Sequence, residues 1–251
     1  MKNLVLIILF FFTASIRISA QEVNSGFAVV ELFTSEGCSS CPPAEKVLSH
    51  IVEEAKKNHK NIFCLEYHVD YWNRSGWKDP FSKNQFTMRQ NNYTGTLQQR
   101  ELYTPQMIVN GETEFIGSHA DEADAAISKA LKSPAITTLE IGLDSAAADT
   151  LYLHYASSKA DKNYSLHFAL VENRLVSKIG KGENSGKTLT HDGVVRIFYS
   201  IELNNKTGVT GIPLKGMKLS ADCDFIAFAQ HKQTKKILGA VEKKMNVLIT
   251  R

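Results

Sequence analysis

Two cysteines, Cys38 and Cys41, stand where an apolar run gives way to a helical pattern, and no other stretch constrains the fold as much. Upstream, Phe27-Ala28-Val29-Val30-Glu31-Leu32-Phe33 is short and apolar and reads as a buried strand. Thr34-Ser35-Glu36-Gly37 reads as a turn. Downstream, Ala44, Val47, Leu48, Ile51, Val52 and Ala55 recur at the spacing of an amphipathic helix. Pro42 and Pro43 suit its first turn, where backbone N–H groups have no intrahelical partner. The C-x-x-C pair therefore sits at a strand-to-helix junction.

That placement predicts thiol chemistry. A helix N-terminus stabilises a thiolate through unpaired N–H groups and the positive end of the macrodipole. The expectation is that Cys38, at the tip, is the exposed and more acidic nucleophile, with Cys41 as the resolving thiol. Gly37 leaves the sulfur uncovered, and Ser39 and Ser40 offer hydroxyl donors. Glu36, taken as an exposed carboxylate, opposes this only weakly because salt screens it. The competing reading is a structural disulfide. A zinc site is not expected, since neither a second C-x-x-C nor a histidine pair appears at ligand spacing.

Residues 1–20 differ from the rest. Lys2 precedes the run Leu4 to Phe12, and small residues lead to Ala20-Gln21, the pattern of a secretory signal peptide. The run is shorter than the roughly 20 residues that span a bilayer, so no membrane span is expected after signal removal. Cleavage after Ala20 would remove Lys2 and Arg17 and leave 27 basic and 26 acidic residues. Such a balance gives no reason to expect nucleic-acid binding. Export would place all four cysteines where disulfides persist; a Cys64–Cys223 bridge is one possible pairing and two inert thiols the other.

Asn61 to Asp70 reads as a second strand, parallel to the first through a βαβ crossover. His68, Asp70 and Trp72 fall at its end, where α/β sheets tend to bind ligands. His68 and Trp72 are therefore candidate substrate-binding residues, and His68 a candidate proton shuttle. Residues 71–80 read as a loop and Phe81 to Tyr93 as a helix. Met107-Ile108-Val109 and Phe115-Ile116 flank Asn110-Gly111, a strong hairpin signal. A helix from about 119 to 132 follows, capped by Ser118.

This order resembles the thioredoxin superfamily. The resemblance implies that Pro105 is cis, faces the cysteines, and leaves the backbone of Thr104 free to pair with a peptide; it makes Thr104 and Pro105 substrate-binding candidates. More narrowly, Glu31 to Ala44, His68 to Trp72, Tyr103 to Gln106 and Gly182 to Asp192 resemble a family of exported bacterial proteins known only as a domain of unknown function. The inter-cysteine pair Ser39-Ser40 differs from the Gly-Pro or Pro-His of that superfamily, so the resemblance implies no redox direction.

From Ser133 onward, short apolar segments read as strands with period two: Leu139 to Leu143, Leu151 to Tyr155, Leu166 to Leu170, Val194 to Ile201, Phe225 to Ala229 and Ile237 to Val241. They suggest an antiparallel β-sandwich. Gly182 to Thr188 contains Gly-Lys-Thr, but its glycine spacing is not that of a phosphate loop. His191 and Asp192 are candidates to line an interface or a ligand site.

The expectation is therefore a signal peptide (1–20), an α/β thioredoxin-like domain (21–133) and an all-β sandwich-like domain (134–251). The expected function is an exported, secreted or periplasmic thiol–disulfide oxidoreductase using Cys38 and Cys41. It needs no cofactor and no metal, and its partners are protein thiols or disulfides and a redox partner protein. The alternative is a non-catalytic binding protein stapled by Cys38–Cys41. Copper handling by the thiolates with His68 is a third reading, weakened by the lack of a Met-rich or His-rich tract.

Overall fold

The computed structural model describes residues 25–97, 101–147, 149–217 and 223–244. The expected signal peptide lies outside these residues. β1 (Ala28–Thr34) is buried throughout. α1 (Pro42–Lys57) buries Ala44, Leu48, Ile51, Val52 and Ala55 along one stripe. β2 (Ile62–His68) then runs parallel to β1, from Ala28↔Ile62 to Thr34↔His68. A 3-10 turn (Tyr71–Ser75) leads to α2 (Asn84–Thr94). β3 (Gln106–Val109) and β4 (Thr113–Ile116) form the expected hairpin. Asn110 and Gly111 take φ of 51° and 68°, the pair of positive values that a type I′ turn demands. α3 (Ala120–Leu131) follows, capped by His119 rather than Ser118.

The C-terminal half contributes β5 (Leu139–Ala147), β6 (Thr150–Ser157), β7 (Tyr164–Glu172), β8 (Leu175–Lys178), β9 (Thr188–His191), β10 (Val194–Glu202), β11 (Thr207–Pro213), β12 (Cys223–His231) and β13 (Ile237–Lys244). Strands of both halves build one mixed eight-stranded sheet in the order β13-β12-β7-β10-β2-β1-β3-β4. β11-β6-β5 form a second sheet and β8-β9 a small ribbon.

This overturns the expected fold class, an α/β thioredoxin-like domain followed by an all-β sandwich. The described chain is mostly β, and its main sheet is shared by both halves. The physical reason lies in the C-terminal strands. Phe225-Ile226-Ala227-Phe228-Ala229 is apolar at every position, and β12 is buried from Cys223 to Gln230. A strand buried on both faces belongs in the middle of a sheet with cover on each side. Leu166, Phe168, Leu170, Phe225, Ala227 and Ala229 face β5, β6 and β11. Ala169, Val171, Ile226 and Phe228 face the other way and join one core with Val29, Phe33, Leu65, Tyr67, Phe86 and Tyr93.

The eight-stranded sheet thus carries one continuous core on the α2 side. On its opposite side α1 and α3 cover Ala28, Val30, Leu32, Met107 and Val109, and the three-stranded sheet covers the C-terminal strands. Each fully buried side chain of the Leu48, Leu65 or Phe168 kind contributes roughly 1.5–3 kcal/mol through removal from water. The halves meet where β10 runs beside β2 at Val194↔Glu66, with Glu66 N donating to Gly193 O at 2.8 Å. That junction lies beside the C-x-x-C turn.

Candidate functional site

Cys38 and Cys41 form a disulfide, and Cys41 is the N-cap of α1. Pro42 and Pro43 have no N–H to offer. The next two donors, Ala44 N and Glu45 N, go to Cys41 O at 2.9 and 3.1 Å. The expected first-turn N–H groups therefore do not reach Cys38. Hydroxyls do. Ser40 Oγ donates to Cys38 Sγ at 3.3 Å, and Thr104 Oγ1 donates to the same sulfur at 3.3 Å. The Thr104 carbonyl oxygen is 4.0 Å away, and Thr104–Pro105 is cis. Trp72 Nε1 donates to Thr104 Oγ1 at 2.7 Å. Cys38, Cys41, Thr104, Pro105 and Trp72 are thus brought together.

The expectation of an exposed Cys38 is wrong. Cys38 and Cys41 are both 0% exposed, while Ser39 and Ser40 between them are open to solvent. The cover comes partly from the segment joining β8 to β9. Asn184 Nδ2 donates to Glu36 O and Cys38 O, each at 2.9 Å, and Glu183 Oε2 accepts from Ser39 N at 3.0 Å. Glu36 is also fully buried rather than exposed; Trp77 Nε1 donates to its Oε2 at 2.7 Å.

His68 does not join the cysteines. Strand alternation turns Cys64, Glu66 and His68 toward the α1 side of the sheet, where Glu66 and His68 meet Glu36, Glu45, Asp79 and His191 in a buried polar chamber. His68 Nδ1 donates to Asp79 Oδ2 and Nε2 to Glu66 Oε1, both at 2.7 Å. With both nitrogens committed, His68 is not placed to shuttle protons to the sulfurs. Burial disfavours its charge, but Asp79 and Glu66 outweigh burial and hold its pKa well above the ordinary 6.5.

Asp79 also accepts from Glu36 N at 2.8 Å and Phe81 N at 2.9 Å. Burial pushes its pKa up, but the His68 charge and these bonds prevail and lower it. Glu66 follows the same logic: burial raises it, and hydrogen bonds from His191 and His68 bring it below its usual value.

His191, at the end of β9, donates through Nδ1 to Glu66 Oε1 at 3.0 Å. Its Nε2 lies 3.3 Å from Glu36 Oε1, close enough for attraction but not aligned as a hydrogen bond. Burial lowers the His191 pKa, and the Glu36 and Glu66 carboxylates raise it to about 10. Glu45 moves the other way. Burial and then the Glu66 charge lift it to about 7, against the pull of His191, His68 and the Thr34 hydroxyl. Cys64 lies apart as a free buried thiol, pushed far up by burial, so no bridge joins it to Cys223.

Sequence reading missed Glu45, Glu66, Asp79 and Asn184 and named His191 as a candidate to line an interface or a ligand site. A signal existed for two of them. Glu66 interrupts an apolar strand, and Glu45 sits on the apolar stripe of α1, one position after Ala44.

A family model described as "Protein of unknown function (DUF1223)" matches residues 29–230. No curated protein matches the chain. The crystal structure of a protein from Agrobacterium tumefaciens is similar, with TM-score 0.62 and 22% identity over 89% of this chain and 96% of that one. It is a likeness of fold alone. A domain of the outer membrane lipoprotein Omp28 from Porphyromonas gingivalis aligns at TM-score 0.25 and 15% identity, over 45% of this chain and 97% of that one, which carries no argument. No helix among the described residues is long and apolar enough to cross a membrane.

Proposed function

The chain belongs to the family described as protein of unknown function, DUF1223, and from the site itself we propose that it is an exported thiol–disulfide oxidoreductase working through Cys38 and Cys41. The observation that carries the reading is the disulfide at the β1–α1 junction with the Thr104 hydroxyl on the Cys38 sulfur, beside the cis Thr104–Pro105 bond. These features, rather than the fold class, carry the likeness to the thioredoxin superfamily. The signal-like run before Ala20 supports export, to the periplasm or beyond.

In the reduced protein the Cys38 thiolate attacks one sulfur of a client disulfide. A Cys38–client mixed disulfide forms and one client thiolate leaves. The Cys41 thiolate then attacks Cys38 Sγ, the Cys38–Cys41 bond re-forms, and the second client thiolate leaves. The client gains two electrons and the pair loses two, which a redox partner protein restores. The same steps reversed oxidise a client dithiol. Ser40 and Thr104 supply the hydrogen bonds that stabilise the Cys38 thiolate. No cofactor enters this scheme.

A second reading has its own observation. Both cysteines are 0% exposed, as suits a staple in a binding protein without catalysis. Equilibration of the native protein in glutathione buffers of graded potential, followed by alkylation, separates the two. Exchange of the Cys38–Cys41 pair in the folded state, with a Cys41→Ser variant holding a Cys38–glutathione mixed disulfide, is the expected result. A pair that exchanges only after unfolding sinks the oxidoreductase reading and leaves the staple.

A further inference from the structure

The chamber below the disulfide holds four carboxylates, Glu36, Glu45, Glu66 and Asp79, against two imidazoles, His68 and His191, and all six residues are buried. Carboxylates outnumber imidazoles four to two where no solvent reaches them, and burial of uncompensated charge is strongly unfavourable. Three of the inward atoms have no hydrogen-bond partner: Glu66 Oε2, and Glu36 Oε1 and His191 Nε2, which face each other at 3.3 Å as an ion pair. Their residues are each 0% exposed. Unsatisfied buried polar atoms are rare in folded proteins and call for an explanation such as a bound ion.

Geometry supplies one. A ligand atom from each of Glu66, His68 and His191 lies within 4.8 Å of the other two, the spread of groups around one cation. His68 Nδ1 is bonded to Asp79 at 2.7 Å, which turns Nε2 into the chamber. A carboxylate behind a histidine in this way fixes the tautomer of metal-binding imidazoles in general.

We propose that Glu66, His68 and His191 bind one divalent first-row transition cation, with Asp79 orienting His68 and the Glu36 carboxylate near the ion. The donor set decides the class of ion. Two imidazole nitrogens with carboxylate oxygen suit borderline cations such as zinc, cobalt or iron(II). Magnesium and calcium prefer oxygen alone, and copper(I) prefers soft thiolates, which the disulfide withdraws. The cation would replace the bonds that Glu66 Oε1 accepts from His68 Nε2 and His191 Nδ1, give Glu66 Oε2 a partner, leave His191 Nε2 facing Glu36 Oε1, and offset carboxylate charge. This site is separate from the sulfur chemistry and stands or falls without it.

The test uses the full exported chain with its disulfide intact, stripped with a chelator, dialysed and titrated with Zn(II) by calorimetry and with Co(II) by visible absorption. One equivalent binds, the thermal midpoint rises with Zn(II), and the Co(II) spectrum carries the signature of nitrogen ligands. His191→Gln loses at least tenfold in affinity, and the milder Asp79→Asn loses about 10- to 100-fold. A double Cys38→Ser, Cys41→Ser variant binds as the parent does, so failure of the oxidoreductase reading leaves this result untouched. If a histidine or aspartate variant does not fold, the parent alone decides. Absence of stoichiometric Zn(II) or Co(II) binding by the folded parent overturns the proposal, as does binding that disappears in a folded double cysteine variant or persists at full affinity in a folded His191→Gln.

Discussion

Asn184 should hold the cover over the disulfide, and its removal should be felt twice. The residue is 0% exposed, and its amide nitrogen bridges Glu36 O and Cys38 O at 2.9 Å each. Asn184→Ala deletes both bonds. Cys38 O keeps a bond from Cys41 N at 3.2 Å, whereas Glu36 O loses the side-chain donor that reaches it. Two buried hydrogen bonds contribute about 1 kcal/mol each, and an orphaned carbonyl adds about 1–3 kcal/mol of desolvation. The expected loss of stability is therefore about 3–5 kcal/mol, read from the urea midpoint at a common m-value. The Lys187 contact to Asn184 Oδ1, also lost, lies nearer the surface and adds little.

The second effect is kinetic. If the sulfurs are reached through local opening of the segment between β8 and β9, weakening that segment raises the open population directly. At about 1.4 kcal/mol per tenfold change, a loss of about 3–5 kcal/mol that is entirely local speeds reduction of the disulfide by glutathione by about 150- to 4,000-fold. The assay is quenched alkylation over time under native conditions. A stability loss below about 0.5 kcal/mol would refute the hydrogen-bond reasoning. A full stability loss with an unchanged reduction rate would show that this segment is not the cover.

Two further predictions follow. Glu31 accepts from Arg89 Nε at 2.5 Å inside the core, and the Arg89 guanidinium lies over the rings of Tyr67, Tyr93, Phe198 and Phe228. Glu31→Gln should cost about 3–5 kcal/mol in urea unfolding because it strands a buried cation, and a Glu31→Leu, Arg89→Met pair should cost less than Glu31→Gln alone; a small single-variant cost would count against the pairing. His167 packs against Phe198 and Phe228 and donates toward or accepts from Ser200 Oγ at 2.7 Å. Burial, then the Arg89 charge, hold its pKa well below 6.5, with Lys235 adding to this and Gln230 opposing it. The unfolded chain binds a proton near pH 6.5 that the folded chain refuses, so stability is fully present above that pH and falls as pH drops below it. His167→Phe should flatten that part of the stability profile between about pH 7 and pH 5; parallel profiles would refute the assignment.

The features legible in the sequence are those written in adjacent residues. The β1–Cys38–Cys41–α1 junction needs only a short apolar run, a turn and a helical stripe. The β3–β4 turn is set by Asn110-Gly111, the pair that tolerates positive φ. Glu66 and His68 share one strand, but Asp79 and His191 come from other elements, and only folding brings Asp79 onto His68 and His191 onto Glu66. The shared sheet was missed for a related reason. The strand β10 joins β2 at one register position, Val194↔Glu66, and a single position of strand pairing leaves no periodic trace. Reading β7 and β12 as alternating strands then hid the fact that both faces were apolar.

That one contact also explains why the site belongs to neither half. Gly193 has φ of +71°, and a Cβ there would sit 2.9 Å from Cys64 O. Glycine thus lets the chain come against β2 closely enough for Glu66 N to reach Gly193 O. The same approach delivers His191, the last residue of β9, onto Glu66, and the β8–β9 segment carries Asn184 over Cys38. Covering the disulfide and closing the polar chamber are therefore two results of one docking event. A substitution that loosened β10 from β2 would expose the sulfurs and open the chamber together, whereas Asn184 can be removed with the Glu66–His191 contact left in place.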